Sequence, residues 1–181
     1  SWDKRLIYEQ FRVGTVIDFR TPREAAEKPD PPISVSYYNL PVLESTEELG
    51  TAGLYLKMLF DDIAKKAYKR FFELLLASDS KQSVLFHSDR GNDRTGIAAA
   101  LLLTALGVSE DTVTEDYLLS NKAYERAELT DLPMIPAVHA YSLDYAFTTA
   151  KVEYGSVTNY INKELGLSNK DIGELKRKYL V

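Results

Sequence analysis

The sequence contains no cysteine, and the first exclusions follow from that absence. Neither a disulfide nor a metal site with thiolate ligands can form in this chain. Histidine is almost as scarce: only His87 and His139 occur, and no HExxH-type spacing is present. Because a zinc site would have to be built mainly from carboxylates, the sequence predicts no metal.

The chain also lacks an excess of basic residues, since its formal net charge is −5. Nucleic-acid-binding proteins usually carry a basic surplus, so the sequence predicts no nucleic-acid partner, and any anion site must be local. No apolar run reaches the length of a membrane span, and the most apolar window, Ile97–Val108, is predicted to be a buried helix. The 181 residues suit a single soluble domain spanning residues 1–181, in either a cytoplasmic or a secreted setting.

Three short segments have the composition of strands. Gly14–Arg20 and Ser34–Pro41 are rich in β-branched or aromatic residues, and Ser83–His87 is a short apolar run. Between the first two, Thr21 is predicted to cap a short helix with Pro22 at its first position and Glu24 three residues after the cap. Prolines at positions 29, 31 and 32 are expected to end it.

Helical periodicity fills most of the remaining chain. Apolar residues recur near a spacing of 3.6 and predict helices at Thr51–Ala77, Arg94–Leu106, Ser109–Ser120 and about Leu143–Leu180, the last broken at Gly155 and Gly166. Strands that alternate with helices predict an α/β fold, with a central sheet flanked by helices.

A polar loop, Ser88–Arg94, lies between a predicted strand and a predicted helix, where α/β folds usually bind ligands. The helix start offers unpaired N–H groups, and successive N–H groups in a tight turn form a concave anion site. Gly91 supplies backbone freedom, and Arg94 supplies a planar cation that can bind two phosphate oxygens. The loop is either such a phosphate cradle or a turn with merely solvated charges. It lacks the GxxxxGK[ST] spacing of nucleotide-binding loops.

The loop sequence His87–Thr95, HSDRGNDRT, resembles the HCx5R signature of protein tyrosine phosphatases, with serine in place of the nucleophilic cysteine. It is most similar to the branch of bacterial and fungal tyrosine/serine phosphatases whose loop reads HCxxGKDRTG. Further blocks match this branch in order: TVIDFR with TPREAAEKPDPP, Gly107–Asn121 with DYLLSN, and Tyr154–Ser168 with YGS and LGLS. The family's usual N-terminal segment, with an FRDLGG-like stretch, has no counterpart, so we expect it to be truncated or supplied by a separate chain.

The resemblance implies a cysteine-phosphatase-like fold and a phosphocysteine intermediate formed without a cofactor. Ser88 occupies the nucleophile position, Asp93 would protonate the leaving group, and Thr95 would hydrogen-bond the nucleophile. The phosphate would be bound, mainly through the backbone, by Asp89, Arg90, Gly91, Asn92, Asp93 and Arg94, with the Arg94 side chain as a clamp. The implied substrate is a phosphotyrosine protein or another phosphomonoester, and a phosphate or sulfate ion is expected in the loop.

The serine leaves the activity open. A loop that ionises a thiol cannot ionise a hydroxyl, which needs an adjacent base. His87 is its neighbour in sequence, but consecutive strand residues point to opposite faces of a sheet. Ser88 is therefore either a substitution that traps ligand in an otherwise active enzyme or the mark of a natural pseudophosphatase that binds phosphorylated partners. The retained acid Asp93 favours the first explanation, because a binding protein needs no acid.

A second departure concerns the substrate class. Asn92 stands where the branch usually has lysine, a residue associated with phosphoinositide substrates in these phosphatases. Its loss puts lipid substrates in doubt, although Arg90 could compensate from another direction.

Four residues are predicted to support the loop: His87, Thr95, Asp18 and Arg20. His87 is expected to brace the loop through a backbone hydrogen bond. Asp18 and Arg20 end the first strand, so they either face the pocket, with Asp18 as an alternative acid or an orienter of Arg94, or form a structural ion pair. Four tyrosines are candidates for flanking the pocket: Tyr117, Tyr124, Tyr141 and Tyr145.

Overall fold

The computed structural model describes residues 6–32, 34–45, 51–126 and 137–180. Within them, a three-stranded parallel sheet is flanked by helices, which confirms the predicted α/β class. The strands are β1 (Val13–Asp18), β2 (Ser36–Asn39) and β3 (Ser83–His87), in the order β2-β1-β3. A π-helix at Leu6–Gln10 precedes β1. The α-helices are α1 (Pro22–Glu27), α2 (Thr51–Phe60), α3 (Asp62–Ala77), α4 (Asp93–Leu106), α5 (Glu110–Arg126), α6 (Ala140–Tyr154), α7 (Val157–Lys163) and α8 (Asn169–Tyr179).

The helix ends follow local chemistry closely. Thr21 caps α1 as predicted: its side chain accepts from the N–H of Glu24, whose carboxylate accepts from the N–H of Thr21. Gly107 ends α4 in the left-handed conformation, with φ of 89°. The single helix predicted at Thr51–Ala77 is wrong, because Asp61 adopts the extended backbone of an N-cap residue and divides it into α2 and α3.

The register of the sheet places the carboxyl ends of its three strands side by side. Asp18, at the end of β1, pairs with Asn39 of β2 on one side and with His87 of β3 on the other. Because the strands are parallel, side chains just beyond these positions meet at one edge of the sheet. The loop Ser88–Asn92 begins at this edge and leads directly into α4.

The core holds α4 and α3 in place beside this edge. Ile97 and Leu101 of α4 are fully buried, and burial of each stabilises the fold by about 1.5–3 kcal/mol. On α3, Phe71 packs edge-to-face on Phe19 and Phe86, with ring centroids 5.6 and 5.1 Å away. These ring contacts hold α3 against the sheet. In the part of the chain that the structure describes, no helix combines the length and apolarity needed to cross a bilayer.

Candidate active site

The loop between β3 and α4 turns at Gly91, whose φ of 74° lies in the left-handed region that favours glycine. A Cβ at this position would meet nothing within 4 Å, so the requirement for glycine comes from the backbone alone. The carbonyl of Asn92 then accepts from the N–H of Gly96 at 2.9 Å, which starts the hydrogen bonding of α4. The earlier N–H groups of α4 have no partner within the helix, as at the start of any α-helix, and such N–H groups are suited to bind an anion.

Ser88 is the first residue after β3 and is only 8% exposed. The hydroxyl of Thr95, on the first turn of α4, donates to Ser88 Oγ at 3.0 Å. The resemblance implies this contact, and the role of Thr95 toward a nucleophile stays a prediction. At position 88 a thiolate would receive the same hydrogen bond.

His87 directs its ring away from the Ser88 hydroxyl. Its Nε2 lies 2.9 Å from a carboxylate oxygen of Asp30, and its Nδ1 lies 3.2 Å from the backbone carbonyl oxygen of Ser88. Both ring nitrogens are thus engaged with groups other than the hydroxyl. This arrangement agrees with a bracing role and leaves the hydroxyl without help from this imidazole.

Arg94 is held by a carboxylate that sequence reasoning recognised only as part of a helix cap. Its Nη1 and Nη2 donate to the two oxygens of Glu24 at 2.6 and 2.9 Å. Burial raises the pKa of the Glu24 carboxyl, but hydrogen bonds from Arg94 and from the N–H of Thr21 outweigh burial, so the pKa lies below its usual value. Glu24 is therefore charged at neutral pH. Tyr68 of α3 also donates to the Arg94 carbonyl at 3.3 Å, so both the side chain and the backbone of Arg94 are anchored.

Asp93, the first residue of α4, is bound by a tyrosine that the sequence did not reveal. The hydroxyl of Tyr55, on α2, donates to a carboxylate oxygen of Asp93. A second hydrogen bond joins the hydroxyls of Tyr55 and Tyr117, the latter on α5. Of the four tyrosines suggested for the pocket, Tyr117 therefore lies behind Asp93.

The other three suggested tyrosines have different positions. The side chains of Tyr141 and Tyr145, on α6, are exposed, and the side chain of Tyr124 lies outside the described residues.

Asp18 and Arg20 form a buried ion pair. Arg20 donates from Nε and Nη2 to the Asp18 carboxylate at 2.7–3.0 Å, and Tyr37 donates to it at 2.6 Å. Burial raises the pKa of the Asp18 carboxyl, but the hydrogen bonds from Arg20 and Tyr37 hold it below its usual value. A carboxylate that stays charged at neutral pH is a poor proton donor. The carboxylate that orients Arg94 is Glu24, so the ion-pair alternative describes Asp18 better than either pocket role.

The same network extends to His87, and it contains residues of the types that commonly bind metal ions. Among the described residues, Asp18, Asp30 and His87 bring such atoms within 4.8 Å of one another. Arg20, however, donates to both Asp18 and Asp30, so a permanent positive charge already lies between the two carboxylates. The group is therefore an ionic brace that connects the segment after α1 to the residue before Ser88.

The charged side chains of the loop cancel formally, because Asp89 and Asp93 balance Arg90 and Arg94. Asp89 lies between two cations, 3.8 Å from Lys28 and 3.7 Å from Arg90, at the surface. The groups here that are suited to bind a dianion are therefore the N–H groups at the start of α4 and the guanidinium of Arg94.

The chain is similar to known proteins along its whole length. Residues 1–181 match the model of the tyrosine phosphatase family. A candidate tyrosine-protein phosphatase of Cupriavidus necator is 28% identical over an alignment of 191 positions, which covers 91% of this chain and 69% of that protein. A tyrosine-protein phosphatase of Nostoc commune is 27% identical, covering 88% of this chain and 64% of its own length.

The triple specificity protein phosphatase of Mycobacterium tuberculosis is 28% identical over 139 residues, which cover 62% of this chain and 48% of that protein. The chain thus spans about half to two thirds of the lengths of these relatives. The names of the relatives support a phosphatase function.

Proposed function

Because the chain belongs to the tyrosine phosphatase family, we propose that its loop binds phosphate monoesters and, with cysteine at position 88, hydrolyses them. A phosphotyrosine protein is the leading substrate. Two contacts at the start of α4 together support the proposal. Thr95 donates to the Ser88 hydroxyl, and both terminal nitrogens of the Arg94 guanidinium donate to Glu24.

In the Ser88→Cys chain the helix N-terminus and Arg94 would favour the thiolate. The thiolate sulfur attacks phosphorus, the P–O bond to the phenol breaks with its electron pair left on oxygen, and Asp93 passes a proton to that oxygen. Water then attacks phosphorus, the P–S bond breaks, and the Asp93 carboxylate takes up the proton from water. During both transfers, loop N–H groups and Arg94 stabilise the charge on the remaining phosphate oxygens.

With serine at position 88 the chain should bind phosphate esters without turning them over. A hydroxyl nucleophile needs a base, and the ring of His87 is engaged by Asp30 and by the Ser88 carbonyl. Inorganic phosphate or sulfate is the ion that we expect in the loop.

The substitution Ser88→Cys, which places a thiol at the nucleophile position, tests the proposal directly. The Ser88→Cys chain should release p-nitrophenol from p-nitrophenyl phosphate in a burst and then turn over, whereas a Ser88→Ala control should do neither. Calorimetry with inorganic phosphate on the present chain should show binding. Binding without turnover by the Ser88→Cys chain would instead support a natural pseudophosphatase, and loss of both properties would refute the site.

A second candidate function, hydrolysis of inositol lipids, is motivated by Arg90, a cation at the surface of the loop. The cancelled loop charge and Asn92 in place of lysine argue for a peptide preference. The Ser88→Cys chain should therefore turn over a phosphotyrosyl peptide faster than a phosphoinositide in mixed vesicles. The reverse order would assign the site to lipids.

A further inference from the structure

Two buried tyrosines stand behind the carboxylate of Asp93. Tyr55 lies on α2 and is only 1% exposed, and Tyr117 lies on α5 and is only 3% exposed. The Tyr55 hydroxyl contacts both the Asp93 carboxylate and the Tyr117 hydroxyl. The three groups therefore form a chain that runs from the core to the first residue of α4.

The hydrogen bonds of this chain have a definite direction. Burial raises the pKa of both phenols, so both keep their protons at neutral pH. Tyr55 has a single hydroxyl proton, and it is donated to the Asp93 carboxylate. The Tyr55 oxygen must then accept from Tyr117. The order of donation is Tyr117 to Tyr55 to Asp93.

A glycine on α4 makes room for Tyr117, the member of the chain farthest from Asp93. A Cβ added to Gly96 would lie 2.8 Å from the Tyr117 ring, closer than real Cβ atoms approach other atoms. The ring therefore packs directly against the backbone of α4, one turn after Asp93. This contact fixes where the hydroxyl of Tyr117 can lie relative to Tyr55.

We propose that Tyr55, supported by Tyr117, is a positioning residue for the acid Asp93. Tyr55 holds one carboxylate oxygen, which leaves the other oxygen to carry the proton for the leaving group. When Asp93 gives up that proton, negative charge develops on the carboxylate, and the hydroxyl already in place stabilises it. The inference rests on the proposed phosphatase function and extends it to residues on two other helices.

The alternative is that the hydroxyls of Tyr55 and Tyr117 have only a structural role, each serving as the other's hydrogen-bond partner in the core. The two possibilities differ in which substrates they affect. A positioning role matters when the leaving group needs a proton, as phenol does, and matters little for nitrophenolate, which leaves unaided. A purely structural role would affect both substrates equally, together with anion binding.

The experiment compares phenyl phosphate with p-nitrophenyl phosphate in the Ser88→Cys chain. Tyr55→Phe should lower kcat/KM for phenyl phosphate about tenfold, the effect of about one hydrogen bond to a charged group, with much less change for p-nitrophenyl phosphate. The comparison uses kcat/KM because it reports formation of the phosphocysteine, the step in which the two leaving groups differ. Tyr117→Phe should shift both rates in the same direction by a smaller factor. In the serine chain, neither variant should change the affinity for inorganic phosphate.

Tyr160→Phe is the matched control, because Tyr160 is equally buried and its hydroxyl donates to the Leu59 carbonyl. It should leave the ratio of the two rates unchanged. If Tyr55→Phe lowers the rates for both substrates equally, or lowers phosphate affinity in parallel, this inference is wrong, but the proposed function still stands. A Ser88→Cys chain that turns over neither aryl phosphate would overturn the proposed function, and the inference with it.

Discussion

Replacing Glu24 by glutamine separates the two tasks of this residue. Glutamine keeps an oxygen that can accept from the N–H of Thr21, so the cap of α1 survives. It loses the negative charge and one of the two acceptors that Arg94 uses at 2.6 and 2.9 Å. One hydrogen bond to a charged group is worth about 1.5–3 kcal/mol. At about 1.4 kcal/mol per factor of ten, kcat/KM of the Ser88→Cys chain should fall roughly 10- to 100-fold.

The assay is kcat/KM for p-nitrophenyl phosphate, together with calorimetry of inorganic phosphate binding to the serine chain. Thr21→Ala is the matched control, because it removes the cap hydroxyl without changing either partner in the Arg94 pair. It should lower the free energy of unfolding by about 1 kcal/mol and leave kcat/KM nearly unchanged.

Two outcomes would refute the reasoning about Glu24. If Glu24→Gln and Thr21→Ala reduce kcat/KM equally, Glu24 acts only as a cap. If phosphate affinity rises in Glu24→Gln, repulsion between the carboxylate and the bound anion outweighs the orientation of Arg94.

The remaining predictions concern other residues of the same edge. Asp93→Asn in the Ser88→Cys chain should slow phenyl phosphate more than p-nitrophenyl phosphate, and equal slowing would move the acid role to another group. Because the pKa of Asp18 lies below its ordinary value, its carboxylate stabilises the fold at neutral pH, and this contribution is lost as the pH falls below about 4 and through the folded-state pKa. Asp18→Asn should cost about 3–5 kcal/mol at neutral pH by leaving Arg20 underpaired, and urea unfolding should show a smaller loss of stability on acidification than the parent chain shows. Gly91→Ala should cost about 1–2 kcal/mol in urea unfolding, because only the left-handed backbone and no steric contact opposes it; a neutral result would show that the turn relaxes.

The sequence alone determined the features that depend on neighbouring residues. The bounds of β3, the capping box at Thr21 and Glu24, and the end of α4 at Gly107 were all predicted, because turns, caps and strand patterns arise from a few adjacent side chains. The loop from Ser88 to Arg94 was visible for the same reason. The break at Asp61 was missed, since the apolar spacing continues across it.

The groups that contact that loop are brought there by the packing of the whole fold. Glu24 meets Arg94 across 70 positions of the chain, Tyr55 meets Asp93 across 38, and Tyr117 meets Tyr55 across 62. Asp18 could have faced the loop or Arg20, and in the structure both Arg20 and Tyr37 donate hydrogen bonds to its carboxylate. A glutamate that caps a helix and one that also binds an arginine look identical in sequence, because the difference lies in which helices the core packs side by side.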